Sequence, residues 1–162
     1  QLMATLKLLI LFLLISPCVL AQRDSASLFE KSKGKWEYPI VNCLKVEKYE
    51  LYRSCMNPGN FSLTTNFISD KSVNAKAIFE GHVATVAKVE DMYVVITNCA
   101  NYFITYVGLI DTELKKGDFI LRGQTLGKIQ KDYDDKFRLY IYLDKGEEQL
   151  DPFNWFIHNS CP

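Results

Sequence analysis

From Lys35 onward the sequence is a series of short segments rich in β-branched and aromatic residues, each ending at a turn signal, and no long stretch has helical periodicity. The longest of these segments is 77–89, in which Gly81 predicts a bulge or a close approach of two backbones. Strands at such spacing are typical of an all-β sandwich or barrel, here in one domain. The other predicted strands are Met92–Thr97, Tyr102–Leu109, Phe119–Leu121, Thr125–Ile129 and Phe137–Leu143, with a hairpin turn at 98–101.

The composition excludes several classes of protein. Of the 162 residues, 48% are hydrophobic and 23% are charged, a mixture that favours a packed core over disorder. The 19 Lys and Arg residues balance 19 Asp and Glu residues. Because no excess of basic charge is available to neutralise a phosphate backbone, the sequence argues against a nucleic-acid partner.

Residues 1–21 have the pattern of a signal peptide. An apolar run at 6–15 carries one positive charge near its start, and we expect cleavage after Ala21. The run is too short to cross a bilayer, so we expect export to the periplasm or the extracellular space and no transmembrane segment in the mature chain. Lipid attachment at Cys18 is the alternative, although Pro17 fits poorly directly before such a cysteine.

The mature chain keeps an even number of cysteines. In an oxidising compartment they predict up to two disulfides, each worth about 2–4 kcal/mol, and three connectivities remain open. A zinc site made of these thiols is the alternative, but no close Cys-x-x-Cys pair is present. The candidates are Cys43, Cys55, Cys99 and Cys161.

Several segments match motifs of one known family in a consistent order. They are Lys33–Ile40, Ala77–Val83 (A-x-x-x-G-x-V), Tyr102–Leu109 (Y-x-T-x-Y-x-H-L), Leu114–Asp118 with Gly123–Gly127 (V-K-x-G-D…G-Q-x-I-G), and Arg138–Leu143 with Asp151–Phe156 (H-L-H-F-E-I…D-P-x-x-W-L). Together these segments are similar to the LytM domains of the M23 peptidase family. The resemblance implies an antiparallel β-sandwich or barrel of the duplicated hybrid motif type over residues 34–157. A polar leader at 22–33, outside the core, would precede it, and a C-terminal tail at 158–162 would follow.

The metal and catalytic positions of the family are replaced in this chain. Active members hold zinc with H-x-x-x-D and the second His of H-x-H; here Arg138 and Tyr140 stand at H-x-H, Gly108 stands at the His of Y-x-H-L, and 61–76 contains no His. A guanidinium repels a cation, and a phenol ligates only as phenolate. The resemblance therefore implies a pseudoenzyme without a catalytic zinc or any other cofactor.

Alternation along the last predicted strand separates its side chains into two faces. Phe137, Leu139, Ile141 and Leu143 form a core face, and the opposite face lines the catalytic groove in the resembling family. A guanidinium beside phenols is able to bind carboxylates and to stack on sugars or peptides. The alternative is that these side chains fill the space that the metal vacated. The candidate groove residues are Asn98, Tyr106, Gly108, Arg138, Tyr140 and Tyr142.

The resemblance implies an exported, non-catalytic module that binds cell-wall peptidoglycan or regulates a cell-wall hydrolase through this groove. Two alternatives stay open, a residual zinc metallopeptidase with unrecognised ligands and a secreted interaction protein with a plugged groove. The other candidate residues have structural interpretations. His82 is predicted to be a surface residue, His158 to lie beside a terminal disulfide, and Asp132, Asp134 and Asp135 to form a solvated turn rather than a calcium site.

Overall fold

The structure is a computed structural model that describes residues 24–52 and 61–157. The predicted signal peptide, including Cys18, lies outside the described residues, as do Cys55, His158 and Cys161. Within the described ranges, no helix is long and apolar enough to cross a membrane.

The described residues form an all-β domain in which all strands pair antiparallel. Residues 24–31 are helical, and a short 3-10 helix spans Pro152–Trp155. The strands are β1 (Lys45–Tyr52), β2 (Phe61–Ser69), β3 (Asn74–Lys76), β4 (Gly81–Val89), β5 (Met92–Cys99), β6 (Tyr102–Leu109), β7 (Phe119–Ile120), β8 (Thr125–Lys128), β9 (Gln130–Lys131), β10 (Phe137–Lys145) and β11 (Glu148–Leu150).

The main sheet has the order β1-β2-β10-β6-β5-β4-β7, and β9 and β11 both pair with β10. A second, two-stranded sheet joins β3 to β8. The predicted all-β class is confirmed, and so is the hairpin of β5 and β6. The turn of that hairpin is shorter than expected, because β5 continues to Cys99. Strand β4 begins at Gly81 rather than at Ala77.

Gly81 is the close-approach point that the sequence predicts. A Cβ atom at this position would lie 2.3 Å from the carbonyl oxygen of Asn98 on the paired strand β5. Only glycine lets the two backbones come so near each other.

An aromatic cluster fills one end of the core and includes a residue of the predicted leader. Phe29 is fully buried and stacks on Tyr102 with ring centroids 4.2 Å apart. Its ring also packs against Trp36 and Trp155. The expectation that the 22–33 leader lies outside the core is therefore wrong for Phe29. The helical residues 24–31 turn the Phe29 ring and part of Ala26 inward and leave the neighbouring Leu28 exposed.

Candidate functional site

Strand β10 builds one wall of the candidate groove. Leu139, Ile141 and Leu143 are fully buried on its core face, as the alternation predicts. Arg138, Tyr140 and Tyr142 are partly buried on the opposite face, which we call the groove face. The groove face thus places one guanidinium and two phenols along a single strand.

Gly108 on β6 brings a second strand against this wall. Its φ angle is +104°, and a Cβ atom there would lie 2.6 Å from the carbonyl oxygen of Arg138. Any side chain at this position would collide with the β10 backbone. A small cavity of about 100 Å³ lies here, lined by Met92, Gly108, Gln130, Lys131, Asp132, Arg138 and Tyr140.

The Arg138 guanidinium is surrounded by carboxylates from separate segments. Its Nη2 donates to Asp134 in the loop between β9 and β10. Its Nε lies 3.2 Å from Asp132 Oδ2, but the angle does not allow a hydrogen bond. Its Nη1 lies 3.8 Å from Glu47 Oε2 on β1. The hydrogen bond from Arg138 is the main cause that lowers the pKa of Asp134. We call this group of four residues the Arg138 cluster.

Tyr140 is tied to the same cluster. Its hydroxyl donates to Asp132 Oδ2 at 2.7 Å. The pKa of Tyr140 is raised, mainly because the phenol is buried and secondly because it donates this hydrogen bond to Asp132. The phenol therefore stays protonated at neutral pH and serves as a donor.

These residues do not fit the zinc site of an active M23 peptidase. A hydrolytic zinc takes three protein ligands and keeps an open position for water. Here the carboxylates are directed at a fixed guanidinium cation, and the neighbouring phenol is held neutral. Within 24–52 and 61–157, no three His, Cys, Asp or Glu side chains are grouped as metal ligands.

The structure distributes the other candidate groove residues over different places. Tyr142 lies on the groove face, opposite Thr105 of β6. Asn98 lies on β5 and lines a different cavity. Tyr106 is fully buried on the core side of β6, where its hydroxyl accepts the Ile78 N–H at 2.9 Å. Tyr106 is therefore a core residue and not part of the groove, because it shares the inward face of the sheet.

A larger cavity of about 400 Å³ lies near the helical residues 24–31. It is lined by Ser25, Leu28, Phe79, Glu80, Gly81, His82, Asn98, Cys99, Ala100 and Phe119. Two large apolar side chains at its rim face solvent, since Leu28 is 57% and Phe119 is 55% exposed. His82 is exposed and packs its ring against Phe119, which confirms its interpretation as a surface residue.

Sequence reasoning missed the acidic half of the Arg138 cluster. The sequence predicts a solvated turn at Asp132 and Asp134, whereas both carboxylates face Arg138 in the structure. Glu47 gave no signal, because it lies on a strand that the sequence pattern did not predict. The four-residue spacing from Asp134 to Arg138 was the one available hint of a local ion pair.

The two described cysteines are not bonded to each other. Cys43 is buried, and its Sγ contacts the Lys45 carbonyl oxygen at 3.4 Å. Cys99 is partly buried and has no disulfide partner within 24–52 and 61–157, and burial, followed by the charge of Glu80, raises the pKa of its thiol. The predicted disulfides remain a prediction, because Cys55 and Cys161 lie outside the described residues.

Comparison with solved structures identifies the class of fold. The chain has the LytM/M23-type fold. One neighbour is a point mutant of the catalytic domain of the prophage-encoded M23 protein EnpA from Enterococcus faecalis. It has a TM-score of 0.52 and 18% identity, and the match covers 71% of this chain and 90% of that one.

Two further neighbours are similar over comparable lengths. A chain of the SpoIIIAH–SpoIIQ complex has a TM-score of 0.57 and 20% identity, with 72% of this chain and 96% of that chain covered. Csd3 from Helicobacter pylori has a TM-score of 0.58 and 16% identity. The match covers 75% of this chain but only 34%, about a third, of the Csd3 chain. No protein-family model matches the sequence, and no curated protein matches it.

Proposed function

We propose that this chain is an exported, non-catalytic module with the M23 fold that binds cell-wall peptidoglycan or a cell-wall hydrolase through the groove face. The observation that carries the proposal is the Arg138 cluster. A guanidinium and a neutral phenol stand where the family resemblance expects a catalytic histidine and a zinc-binding histidine, so the groove is equipped for hydrogen bonding and charge pairing rather than for activating water.

The neighbours are consistent with a binding role. One chain of this fold forms a complex in the SpoIIIAH–SpoIIQ structure, which is described as pore-forming. Others carry the name of M23 peptidases. The fold therefore serves both binding and hydrolysis, and the residues of the groove decide between them.

Cosedimentation of the purified mature protein with peptidoglycan sacculi tests the proposal. We expect the wild type to pellet with the sacculi and Tyr142→Ala to pellet less. Phe119→Ala is the matched control, because it also removes an exposed aromatic ring but lies at the other cavity. Release of soluble wall fragments that a chelator stops would contradict a non-catalytic role.

One observation favours a second candidate function, that of an interaction protein with a plugged groove. The charges of the Arg138 cluster are largely paired internally, while the larger cavity presents Leu28 and Phe119 to solvent. In that case Phe119→Ala would weaken partner binding and Tyr142→Ala would not. The same pair of variants thus separates the two candidates.

A further inference from the structure

We propose that the small cavity beside Arg138 is a subsite for the free carboxyl terminus of a peptide, and that Asp132 and Asp134 occupy Arg138 until such a ligand displaces them. This inference rests on the proposed function, since it names the chemistry that the groove recognises. It treats the loop at 132–136 as an internal competitor for the ligand.

The cavity lining includes two cationic side chains that could pair with an anion, and both are now paired with carboxylates of the protein. Two of its seven lining residues, Arg138 and Lys131, are cationic, and one, Asp132, is acidic. Asp134 and Glu47 reach Arg138 but do not line the cavity. An Arg guanidinium offers five N–H donors in a planar fork that matches a carboxylate. A ligand carboxylate would replace one that the protein now supplies, so the guanidinium stays paired.

Two buried atoms at the cavity lack a hydrogen-bond partner among the described residues. Arg138 Nε is a donor, and Gln130 Oε1 is an acceptor. A buried polar atom left unpaired is costly, so each such atom calls for a partner. The terminal residue of a peptide supplies both in one unit, an acceptor in its carboxylate and a donor in its amide N–H. A simple inorganic anion would satisfy only the first.

The size of the cavity agrees with such a terminal group. Its volume of about 100 Å³ is roughly that of three water molecules in the liquid, at about 30 Å³ each. Gly108 is one of the residues that line this space. A carboxylate and the carbon that carries it fit there, whereas a whole sugar ring does not.

The competing loop is able to release Arg138 without unfolding. Its backbone is closed by the Asp132 N–H donating to the Lys136 carbonyl oxygen at 2.7 Å. The contacts of Asp132 and Asp134 with the groove are made by side chains alone. Rotation of the Asp134 side chain, which is 36% exposed, would free one edge of the guanidinium and would also break the hydrogen bond that Asp134 Oδ1 accepts from the Lys136 N–H at 3.3 Å.

The test is an NMR titration of the full mature chain with N-acetyl-Ala-Ala as the free acid and, separately, as the C-terminal amide. The Arg138 Nε–Hε resonance reports on the site directly. We expect the acid to shift this resonance and the amide to leave it in place. Asp134→Asn should tighten acid binding about two- to fivefold, the range that corresponds to one exposed ion pair.

Asp91→Asn is the matched control, because Asp91 carries the same charge in the exposed turn just before Met92 of the cavity but is not among the carboxylates that pair with Arg138 or Lys131. An equal gain in both variants would overturn the inference, since it would reflect net charge alone. Equal binding of acid and amide, or no binding by Asp134→Asn, would also overturn it. If the protein still pelleted with sacculi in those cases, the proposed function would stand without this subsite.

Discussion

The phenol of Tyr102 donates a hydrogen bond to the carboxylate of Glu30, which lies 72 positions earlier in the chain. Lys145 Nζ reaches the same carboxylate oxygen at 2.8 Å and lies 5.1 Å from the centre of the Tyr102 ring. Three segments, the helical residues 24–31, β6 and β10, thus meet at one carboxylate. This contact fixes the helical residues against the end of the sheet.

Replacing Glu30 with Gln should lower stability in a pH-dependent way. The hydrogen bond from Lys145 is the first cause that lowers the pKa of Glu30. A carboxylate with a lowered pKa stabilises the fold above its unfolded pKa of about 4.3, and this stabilisation is lost as the pH falls through the folded value.

We therefore expect the urea midpoint of the wild type to exceed that of Glu30→Gln at pH 7, and the two to converge in acid. Glu148→Gln, at an exposed position on β11, is the control and should leave the midpoint unchanged. A difference between wild type and Glu30→Gln that persisted at pH 2 would argue against a role of the charge.

Truncating Phe29 to Ala should cost about 3–5 kcal/mol, as expected for a fully buried aromatic ring. The neighbouring Leu28→Ala should change stability by at most about 0.5 kcal/mol, because that side chain is mostly exposed. Chemical denaturation of the wild type and both variants measures the change in the free energy of unfolding. Similar losses in both would mean that Phe29 does not belong to the core.

Gly108→Ala should destabilise the protein more than Gly146→Ala does. Both glycines have positive φ angles, of +104° and +59°, so each substitution introduces backbone strain of about 1–3 kcal/mol. Only at Gly108 does the new methyl group also meet a backbone oxygen, at 2.6 Å, whereas nothing lies within 4 Å of it at Gly146. Equal urea midpoints for the two variants would contradict this close approach of β6 and β10.

Cys43 should form no disulfide with Cys55. The Leu44 N–H bonds to the Ile68 carbonyl oxygen, and β1 then pairs with β2 up to Tyr52. The strand from Leu44 to Tyr52 is therefore about 26 Å long, at about 3.3 Å per residue. From Tyr52 to Cys55 the chain has three residues, which span at most about 11 Å even if they run straight back toward Cys43. The Cα atoms of Cys43 and Cys55 therefore stay well beyond the limit of about 7 Å for a disulfide.

Peptide mapping under non-reducing conditions, after refolding with oxidised glutathione, checks this prediction. A linked peptide that contains Cys43 and Cys55 would show that the hairpin is shorter than the structure has it. Any other linkage leaves the hairpin intact and narrows the three connectivities that the sequence left open.

The strands that the sequence predicted are rich in apolar β-branched and aromatic residues and end at turn signals. In β10 the alternation of side chains correctly separated the core face from the groove face. β2 was missed because its buried positions include Thr64, Thr65 and Asn66. The buried hydroxyl of Thr64 is satisfied by a 2.9 Å hydrogen bond that it donates to the Ile141 carbonyl oxygen. Because Ile141 is distant in the sequence, the local pattern around Thr64 does not indicate that this polar residue is buried.

The candidate site was predictable only in part, for the same reason. Arg138, Tyr140 and Gly108 were found because family motifs mark their positions, and the structure brings them to one cavity. Tyr106 was misplaced because its motif position did not reveal the face on which it lies. Glu47 was missed because an ion pair between β1 and β10 depends on the order of strands in the sheet, which short segments do not encode.

The guanidinium at the centre of the groove is covalently part of the polypeptide. A zinc-based groove loses its positive charge when metal is scarce or when a competing chelator removes it, but Arg138 stays charged at any physiological pH. The positive charge at this position is therefore independent of the supply of metal around the protein. The same groove would keep its charge in surroundings that disarm a zinc-dependent relative.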